Sequence, residues 1–219
     1  MITPKEGPIL MCAEMVRAVL RTDSPKTQTR RILNPQPWQP WLNSVQQWLW
    51  NKNGNQHPFH PHLKDSLNHV CPYGKPGDRL WVRETWFDIR AYERATGLNL
   101  GIPFDYQYRA DFELHKSKTK WRPSIYMPRK ASRITLEITD VRVERVQDIT
   151  AEDCIAEGID FQKHKCGCEA CSRTSVICPA TSSSLILAYA GLWDSLNAKR
   201  GFGWTINPFC WRIEFRRLS

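Results

Sequence analysis

Two segments in which polar and apolar residues alternate indicate that this chain builds its core around β-strands. Residues 133–143 carry apolar side chains at alternate positions, apart from a break near Asp140. Residues 209–215 repeat the alternation near the C-terminus. Because successive side chains of a strand point to opposite faces, each segment predicts a strand with one face in the core. The break near Asp140 predicts a bent strand or a bent pair.

Weaker patterns around these strands predict the remaining elements. Helices are expected where apolar residues recur at helical spacing or where a capping residue begins the segment: residues 13–21, 150–157 and 182–197. Strands or extended segments are expected at residues 26–31, 79–84 and 104–110. A short helix is expected at residues 45–50, and a loop or short helix at residues 90–99. Together the elements predict an α+β fold, in which a small β-barrel carries flanking helices.

The charge balance favours a polyanionic partner. The chain has 31 Lys and Arg against 22 Asp and Glu, a formal net charge of +9. Such an excess raises the potential over the surface, and nucleic acid is the commonest polyanion that it attracts. The ten Trp add flat rings on which bases can stack. The alternative is a basic protein with no polyanion partner, whose tryptophans fill its core.

The first residues and the lengths of the apolar runs indicate where in the cell the protein is found. The segment Met-Ile-Thr-Pro-Lys-Glu-Gly-Pro lacks the basic-then-apolar pattern of a signal peptide. No apolar run approaches the roughly 20 residues that cross a bilayer. We therefore expect a cytoplasmic protein with no membrane partner, folded as a single domain over residues 1–219.

Four of the eight cysteines lie within thirteen residues and indicate a metal site. Cys166, Cys168, Cys171 and Cys178 supply the four thiolates of a closed tetrahedral zinc site, which would staple a segment that lacks a core of its own. His164 is an alternative ligand for one position. Four unligated thiols are the less expected alternative, and the other four cysteines are interpreted as reduced thiols in or near the core. No organic cofactor is predicted.

Four segments follow one another in an order that is typical of one family. A helix runs into Pro-Lys-Thr-Gln-Thr-Arg-Arg at residues 25–31, and Lys-Pro-Gly-Asp-Arg-Leu at residues 75–80 forms a turn that enters a strand. A strand and a short helix with an acidic end span residues 141–157, and Trp-Arg-Ile-Glu-Phe closes the chain at residues 211–215. In this order the segments resemble the ASCH domain of the PUA-like superfamily. The resemblance implies a PUA-like small β-barrel with flanking helices.

Relative to that family, three segments are interpreted as surface insertions: about 35–70, 88–120 and 162–180, the last with the cysteine cluster. With its Cys-Pro-Tyr-Gly-Lys-Pro-Gly-Asp segment at residues 71–78, the longer chain resembles phage and prophage members of the family. That implies the cytoplasm of a bacterial host. The tryptophans of the first insertion are expected to form a satellite core: Trp38, Trp41, Trp48 and Trp50. Its histidines, with Cys71, are a weaker metal candidate, and we expect them to be exposed instead: His57, His60 and His62.

The resemblance also implies a chemistry. Small bacterial members of the family include amidohydrolases that remove the acyl group from acetylated cytidine with a Lys, a Thr and a Glu. Matched by motif, these are Lys26, Thr29 and Glu157. A threonine hydroxyl needs a neighbouring base to become a nucleophile, and a desolvated lysine is competent for that role. Glu157 would orient Lys26 or relay a proton to the leaving amine.

Further residues beside this pocket are expected to bind substrate or nucleic acid: Thr27, Arg30, Arg31, Trp81, Arg83 and Trp86. Arg30 and Arg31 are candidate donors to a developing oxyanion. Trp81 and Trp86 are expected to line the pocket. Ser24-Pro25 and Arg30 differ from the residues usual in the small hydrolases, which predicts a different substrate.

Two alternatives use the same surface without this chemistry. One is a non-catalytic protein that binds RNA or DNA and inserts a modified base into the pocket. The other is a ribonuclease of phage origin that acts with a general acid and a general base. A structural role in phage assembly is a further alternative, which depends on the phage resemblance alone.

Overall fold

The strands fall into one large sheet and two small ones. The computed structural model describes residues 3–37, 48–59, 70–112, 120–164, 166, 168 and 177–218, apart from the side chain of Trp48. Its strands in these ranges are β1 (Glu6–Leu10), β2 (Gln28–Ile32), β3 (Trp48–Lys52), β4 (Asn55–Phe59), β5 (Arg79–Arg83), β6 (Trp86–Asp88), β7 (Tyr106–Tyr108), β8 (Thr135–Arg145) and β9 (Phe209–Arg217). Its α-helices there are α1 (Ala13–Leu20), α2 (Ile89–Thr96), α3 (Ala151–Ala156), α4 (Phe161–His164) and α5 (Pro179–Asn197). The predicted α+β class is confirmed.

The large sheet has the order β1-β5-β8-β9-β2. β1 runs parallel to β5, and the other neighbours are antiparallel. The long strands β8 and β9 form the centre, and their register shifts between Ile138 and Asp140. The alternating segments thus form the two strands that their pattern predicts, and the break in the first one is a bulge.

The edge strands β1 and β2 approach each other without forming a ladder among the described residues. A barrel closes only when its two edges pair, so the closed barrel expected from the sequence is not found in this part of the chain. One contact does span the gap, because Arg31 Nη2 donates to the carbonyl of Leu10 at 2.6 Å. The sheet is therefore open but curled.

The main core lies on the sheet face formed by alternate residues of β9, and it reaches into the first predicted insertion. Trp50 and Phe59 of the hairpin β3–β4 are buried in it. Trp50 meets Trp211 edge-on, with ring centroids 5.9 Å apart, and its indole donates to the carbonyl of Pro35 at 2.7 Å. The expected satellite core is thus wrong for Trp50, because this ring fills the main core.

Residues 48–50 of the short helix expected at residues 45–50 belong instead to this hairpin, and residues 45–47 lie outside the described residues. Trp48–Lys52 is a strand, joined to β4 by a two-residue turn at Asn53 and Gly54. Both turn residues have positive φ, which is the geometry that Asn-Gly favours between two strands. Trp38, Trp41, His60 and His62 lie outside the described residues, and the ring of His57 lies 5.8 Å from that of Trp50.

A second core covers the other face of β9. Cys210 points away from the main core and packs with Tyr189 and Trp193 of α5. α3 lies in the same cluster and begins with the predicted cap, since Thr150 and Asp153 each accept a backbone hydrogen bond from the other. The helices α3 and α5 are thereby held beside β2. Among the described residues no helix is long and apolar enough to span a membrane.

Candidate functional site

The segment that enters β2 is fixed between two helix ends. The Lys26 amide donates to the carbonyl of Ala18 in α1 at 2.9 Å, and the Thr27 amide donates to that of Ala156 in α3 at 2.9 Å. These two bonds satisfy carbonyls that a helix end leaves unpaired. They also place the Lys26 side chain directly against the end of α3.

Gly158 permits this close approach. It follows α3 with φ of +96°, and a Cβ at this position would lie 2.7 Å from Ala18 Cβ and 3.4 Å from Lys26 Cβ. A side chain would therefore be strained by its backbone conformation and would also collide with α1. Gly158 is thus the spacer that lets Lys26 reach Glu157.

Lys26 and Glu157 form a buried ion pair. Lys26 Nζ donates to Glu157 Oε2 at 2.7 Å and to the Glu157 carbonyl at 2.6 Å. The residues are only 2% and 5% exposed. Burial lowers the pKa of Lys26, although the charge of Glu157 opposes that effect. The structure thus brings together two of the three residues predicted to be catalytic and makes the amine less basic than an ordinary lysine.

Arg30 adds a second cation to the same carboxylate. Its Nη1 lies 3.5 Å from Glu157 Oε1, and its Nη2 pairs with Glu144 and, at 2.9 Å, with Asp153 Oδ2. Burial alone would lower the pKa of Arg30, but nearby negative charge, above all that of Glu157, outweighs it and raises the pKa. Arg30 therefore stays charged and holds the Glu157 carboxylate from the side opposite Lys26.

Asp153 extends this network to β9. Arg212 Nη2 lies 2.9 Å from Asp153 Oδ1, and Arg212 Nε donates to Gln28 Oε1 at 2.8 Å. Burial acts to raise the pKa of Asp153, but the charges of Arg30 and Arg212 prevail and lower it. Asp153 is thus an anion shared by two guanidinium groups. The same network joins β2, β8, β9 and α3.

A cavity of about 500 Å³ opens beside this network. Thr29, Arg30 and Glu157 line it, together with residues 10–12, Met15 of α1 and one face of α5. The α5 residues recur at helical spacing: Tyr189, Leu192, Trp193, Leu196 and Asn197. Its size is typical of small-molecule sites, which occupy roughly 300–1,000 Å³, and its lining mixes apolar side chains with polar and charged ones. The third predicted residue, Thr29, therefore lies at the same cavity as Glu157.

Of the six predicted binding residues, only Arg30 and Arg31 line the cavity; Thr27, Trp81, Arg83 and Trp86 do not. The reason is visible at Thr85 and Trp86. Thr85 reaches the cavity, whereas the next side chain along the chain, Trp86, packs in a separate cluster with Met127 and Ala131. Trp86 was predicted to line the pocket because it follows the strand at residues 79–84 closely in the sequence. Sequence position alone does not determine which way its ring points.

The sequence contains no local pattern that would identify several residues of the site. Glu144 and Arg212 sit on strands as ordinary alternating polar residues, and only their positions in the sheet bring them to Arg30. The aromatic face of α5 could have been predicted, because Tyr189 and Trp193 are four residues apart and therefore lie on the same side of a helix. Asp153 lies in the first turn of the predicted helix, but no local pattern indicates that it also pairs with Arg30.

The cysteine cluster lies at the other end of α5. The Sγ atoms of Cys166, Cys168 and Cys178 lie within 4.8 Å of one another and could hold a metal ion. Hydrogen bonds from Thr181, and then from Cys168, lower the pKa of Cys166, which favours the thiolate that binds metals. Cys171 lies outside the described residues. His164 is paired with Ser184 at 3.0 Å.

Comparison with known proteins gives no family assignment. Neither the models of known families nor the curated proteins nor the solved structures contain a match to this chain. The ASCH resemblance therefore stays a prediction, and the function has to be inferred from the geometry.

Replacing Gly158 by Ala should destabilise the protein by about 1–3 kcal/mol, because the added Cβ meets Ala18 and the residue must keep a positive φ. Gly191→Ala is the matched control. Gly191 lies within α5 with no atom within 4 Å of an added Cβ, so alanine there should be neutral or stabilise by about 0.5–1 kcal/mol. Urea unfolding measures both. Equal stability changes in the two variants would contradict the close approach at Gly158.

Proposed function

We propose that this protein is a hydrolase that removes an acyl group from a modified cytosine nucleoside. The observation that carries the proposal is the buried pair of Lys26 and Glu157 beside a cavity lined by Thr29. A lysine with a lowered pKa is neutral in a larger fraction of molecules near neutral pH, and only the neutral amine can accept a proton. Thr29 and Glu157 line the cavity, and Lys26, which is not one of the lining residues, lies behind Glu157 and is hydrogen-bonded to it. In the proposed function these residues act as nucleophile, orienting carboxylate and base.

The reaction begins at Thr29. Its Oγ1 attacks the acyl carbonyl carbon and forms a C–O bond, while the hydroxyl proton passes to the neutral Lys26 amine. The carbonyl oxygen then carries a negative charge that needs donors. Arg30 Nε is buried at this cavity without a hydrogen-bond partner in the described residues, and we assign it to that oxyanion.

Collapse of the tetrahedral intermediate breaks the C–N bond. The leaving cytosine amine takes a proton from the Lys26–Glu157 pair, whose two groups are already joined by a short hydrogen bond of 2.7 Å. Water then attacks the acyl-threonine ester, releases the carboxylic acid and restores the Thr29 hydroxyl. The sum is one amide and one water converted to one amine and one acid.

The PUA-like fold and the ASCH family belong to the same proposal. Support comes from the curled sheet, whose edge strands are linked by Arg31 and Leu10, and from the convergence of the Lys-Thr-x-Thr segment with the acidic end of α3. The second feature matches the pocket of the family, whereas the first stops short of the closed barrel that the family resemblance implies. The net charge of +9 supports nucleic acid or a nucleotide as partner.

A non-catalytic reader of modified bases is the second candidate. It is favoured by one observation: Lys26 Nζ donates to two acceptors of Glu157, and no hydrogen bond among the described residues joins it to Thr29. A reader would use the same cavity to hold an extruded base. It would bind without turnover, which separates it from the hydrolase in the experiments below.

Zinc is the metal that we propose for the cysteine cluster. The three described thiols and Cys171 would supply a tetrahedral set of four sulfur ligands, which zinc prefers. Cys178 caps α5, where its sulfur accepts a hydrogen bond from the Thr181 amide at 3.4 Å. The metal would therefore anchor the start of the helix whose other end lines the cavity, and its role would be structural.

Thr29→Val and Lys26→Met should each lower kcat for hydrolysis of N4-acetylcytidine by about 100-fold or more, because they remove the nucleophile and the base while keeping side-chain volume. Chromatography of released cytidine measures the rates. The matched control is Thr205→Val, an exposed threonine outside the cavity lining, which should retain full activity. Equal rates in Thr29→Val and Thr205→Val would refute the assignment of the nucleophile.

The rate should fall at low pH because protonation of Lys26 removes the base. Burial lowers the pKa of Lys26, so the rise of kcat/KM with pH should occur below the ordinary lysine value of about 10.4. A pH-rate profile of the wild type tests this. A rise centred on the ordinary lysine pKa would show that the buried amine is not the base.

The purified protein should contain about one zinc per chain. Cys178→Ser should lose it, and the unfolding midpoint should fall, because the metal stabilises only the folded cluster. Cys71→Ser, which alters a thiol outside the cluster, should keep its zinc. Elemental analysis gives the stoichiometry. Wild-type protein that binds no zinc after refolding with excess metal would rule out the site.

A further inference from the structure

One part of the cavity wall carries positive charge without a matching acid. Arg31 and Arg200 both line the cavity, as does Tyr73. Within the described ranges neither arginine forms an ion pair with a carboxylate, whereas Arg30 and Arg212 each pair with at least two. Arg31 and Arg200 thus leave two positive charges at the cavity wall that no carboxylate among the described residues neutralises.

All three side chains line the same cavity. Burial raises the pKa of the Tyr73 hydroxyl, and the positive charges of Arg31 and Arg200 oppose that effect. A hydroxyl donor and two guanidinium groups at one cavity suit an anion with several oxygens.

Arg31 has a donor left over. Its Nη2 donates to the Leu10 carbonyl at 2.6 Å. Its Nε is buried and has no hydrogen-bond partner among the described residues. Buried polar groups in folded proteins are nearly always paired, so an orphaned donor at a cavity calls for a ligand acceptor.

We propose that Arg31, Arg200 and Tyr73 bind a phosphate, so that the substrate is a phosphorylated cytosine nucleotide rather than the free nucleoside. Guanidinium groups match phosphate oxygens in geometry and keep their charge at all relevant pH values. The inference rests on the proposed hydrolase and adds the phosphate to its substrate. The phosphate is either that of a mononucleotide or a phosphodiester in a strand.

The position of the phosphate site agrees with the position of the chemistry. Thr29 and Arg31 are alternate residues of β2, so their side chains lie on the same side of the strand, with Cα atoms about 7 Å apart. A nucleotide carries its base and its phosphate at opposite ends of the ribose. It can therefore place the acylated base at Thr29 and the phosphate at Arg31 within one cavity.

Binding tests the phosphate site without relying on turnover. Calorimetry with wild-type protein should show that cytidine 5′-monophosphate binds about tenfold or more tightly than cytidine, because charge-assisted hydrogen bonds are added. Arg200→Gln should reduce that preference to about twofold or less. Lys199→Gln removes the same charge one residue earlier, at a side chain outside the cavity lining, and should keep it. Equal binding of nucleotide and nucleoside by the wild type would overturn the proposal.

Turnover identifies the source of the phosphate. The wild type is given N4-acetylcytidine, its 5′-monophosphate and a short RNA that contains one acetylcytidine, and kcat/KM is compared. A preference for the monophosphate indicates a mononucleotide substrate, and a preference for the RNA indicates a phosphodiester. If the enzyme hydrolyses the nucleoside as well as the two phosphorylated substrates, the phosphate site is wrong and the hydrolase proposal stands. If the nucleotide binds more tightly than the nucleoside but no substrate is hydrolysed, the hydrolase proposal is wrong and the phosphate site stands.

Discussion

The buried carboxylate of Glu157 is the contact on which the site and much of the fold depend. Lys26 holds one of its oxygens and Arg30 the other. Arg30 in turn binds Glu144 and Asp153, so that β2, β8 and α3 share one charge network. Removing one member of a buried pair typically costs about 3–5 kcal/mol, because the remaining charge stays desolvated. Buried ion pairs as well as apolar packing therefore hold together the elements around the cavity.

The same buried charges act on the basicity of Lys26. Burial lowers the pKa of its amine, and the charge of Glu157 opposes that effect. The proposed base is therefore a lysine that gives up its proton more readily than an exposed one. Arg31 also lines the cavity and has no acid partner among the described residues. The charge of Arg30 is thus neutralised within the protein, whereas that of Arg31 is left for a ligand to neutralise.

The sequence predicted those features that depend on local patterns. The strands at residues 133–143 and 209–215, the bulge near Asp140 and the cap at Thr150 follow from alternation and capping. The grouping of Lys26 with Glu157 came from family resemblance, because no spacing rule links residues 131 positions apart. The sequence could not predict the acid partners of Arg30 or the burial of Trp50 against Trp211, because both depend on which elements become neighbours in the fold. The Asn-Gly turn was a readable signal for the β3–β4 hairpin.

The most direct test is mass spectrometry of the enzyme quenched during turnover of N4-acetylcytidine. With Thr29 as the nucleophile, the wild type carries an acetyl group on the peptide that contains Thr29, and Thr29→Val carries none there. Cys12 also lines the cavity, and its thiol could compete with Thr29 as the nucleophile. Cytidine release with the acetyl group on Cys12, or with no acylated peptide at all, would contradict the account.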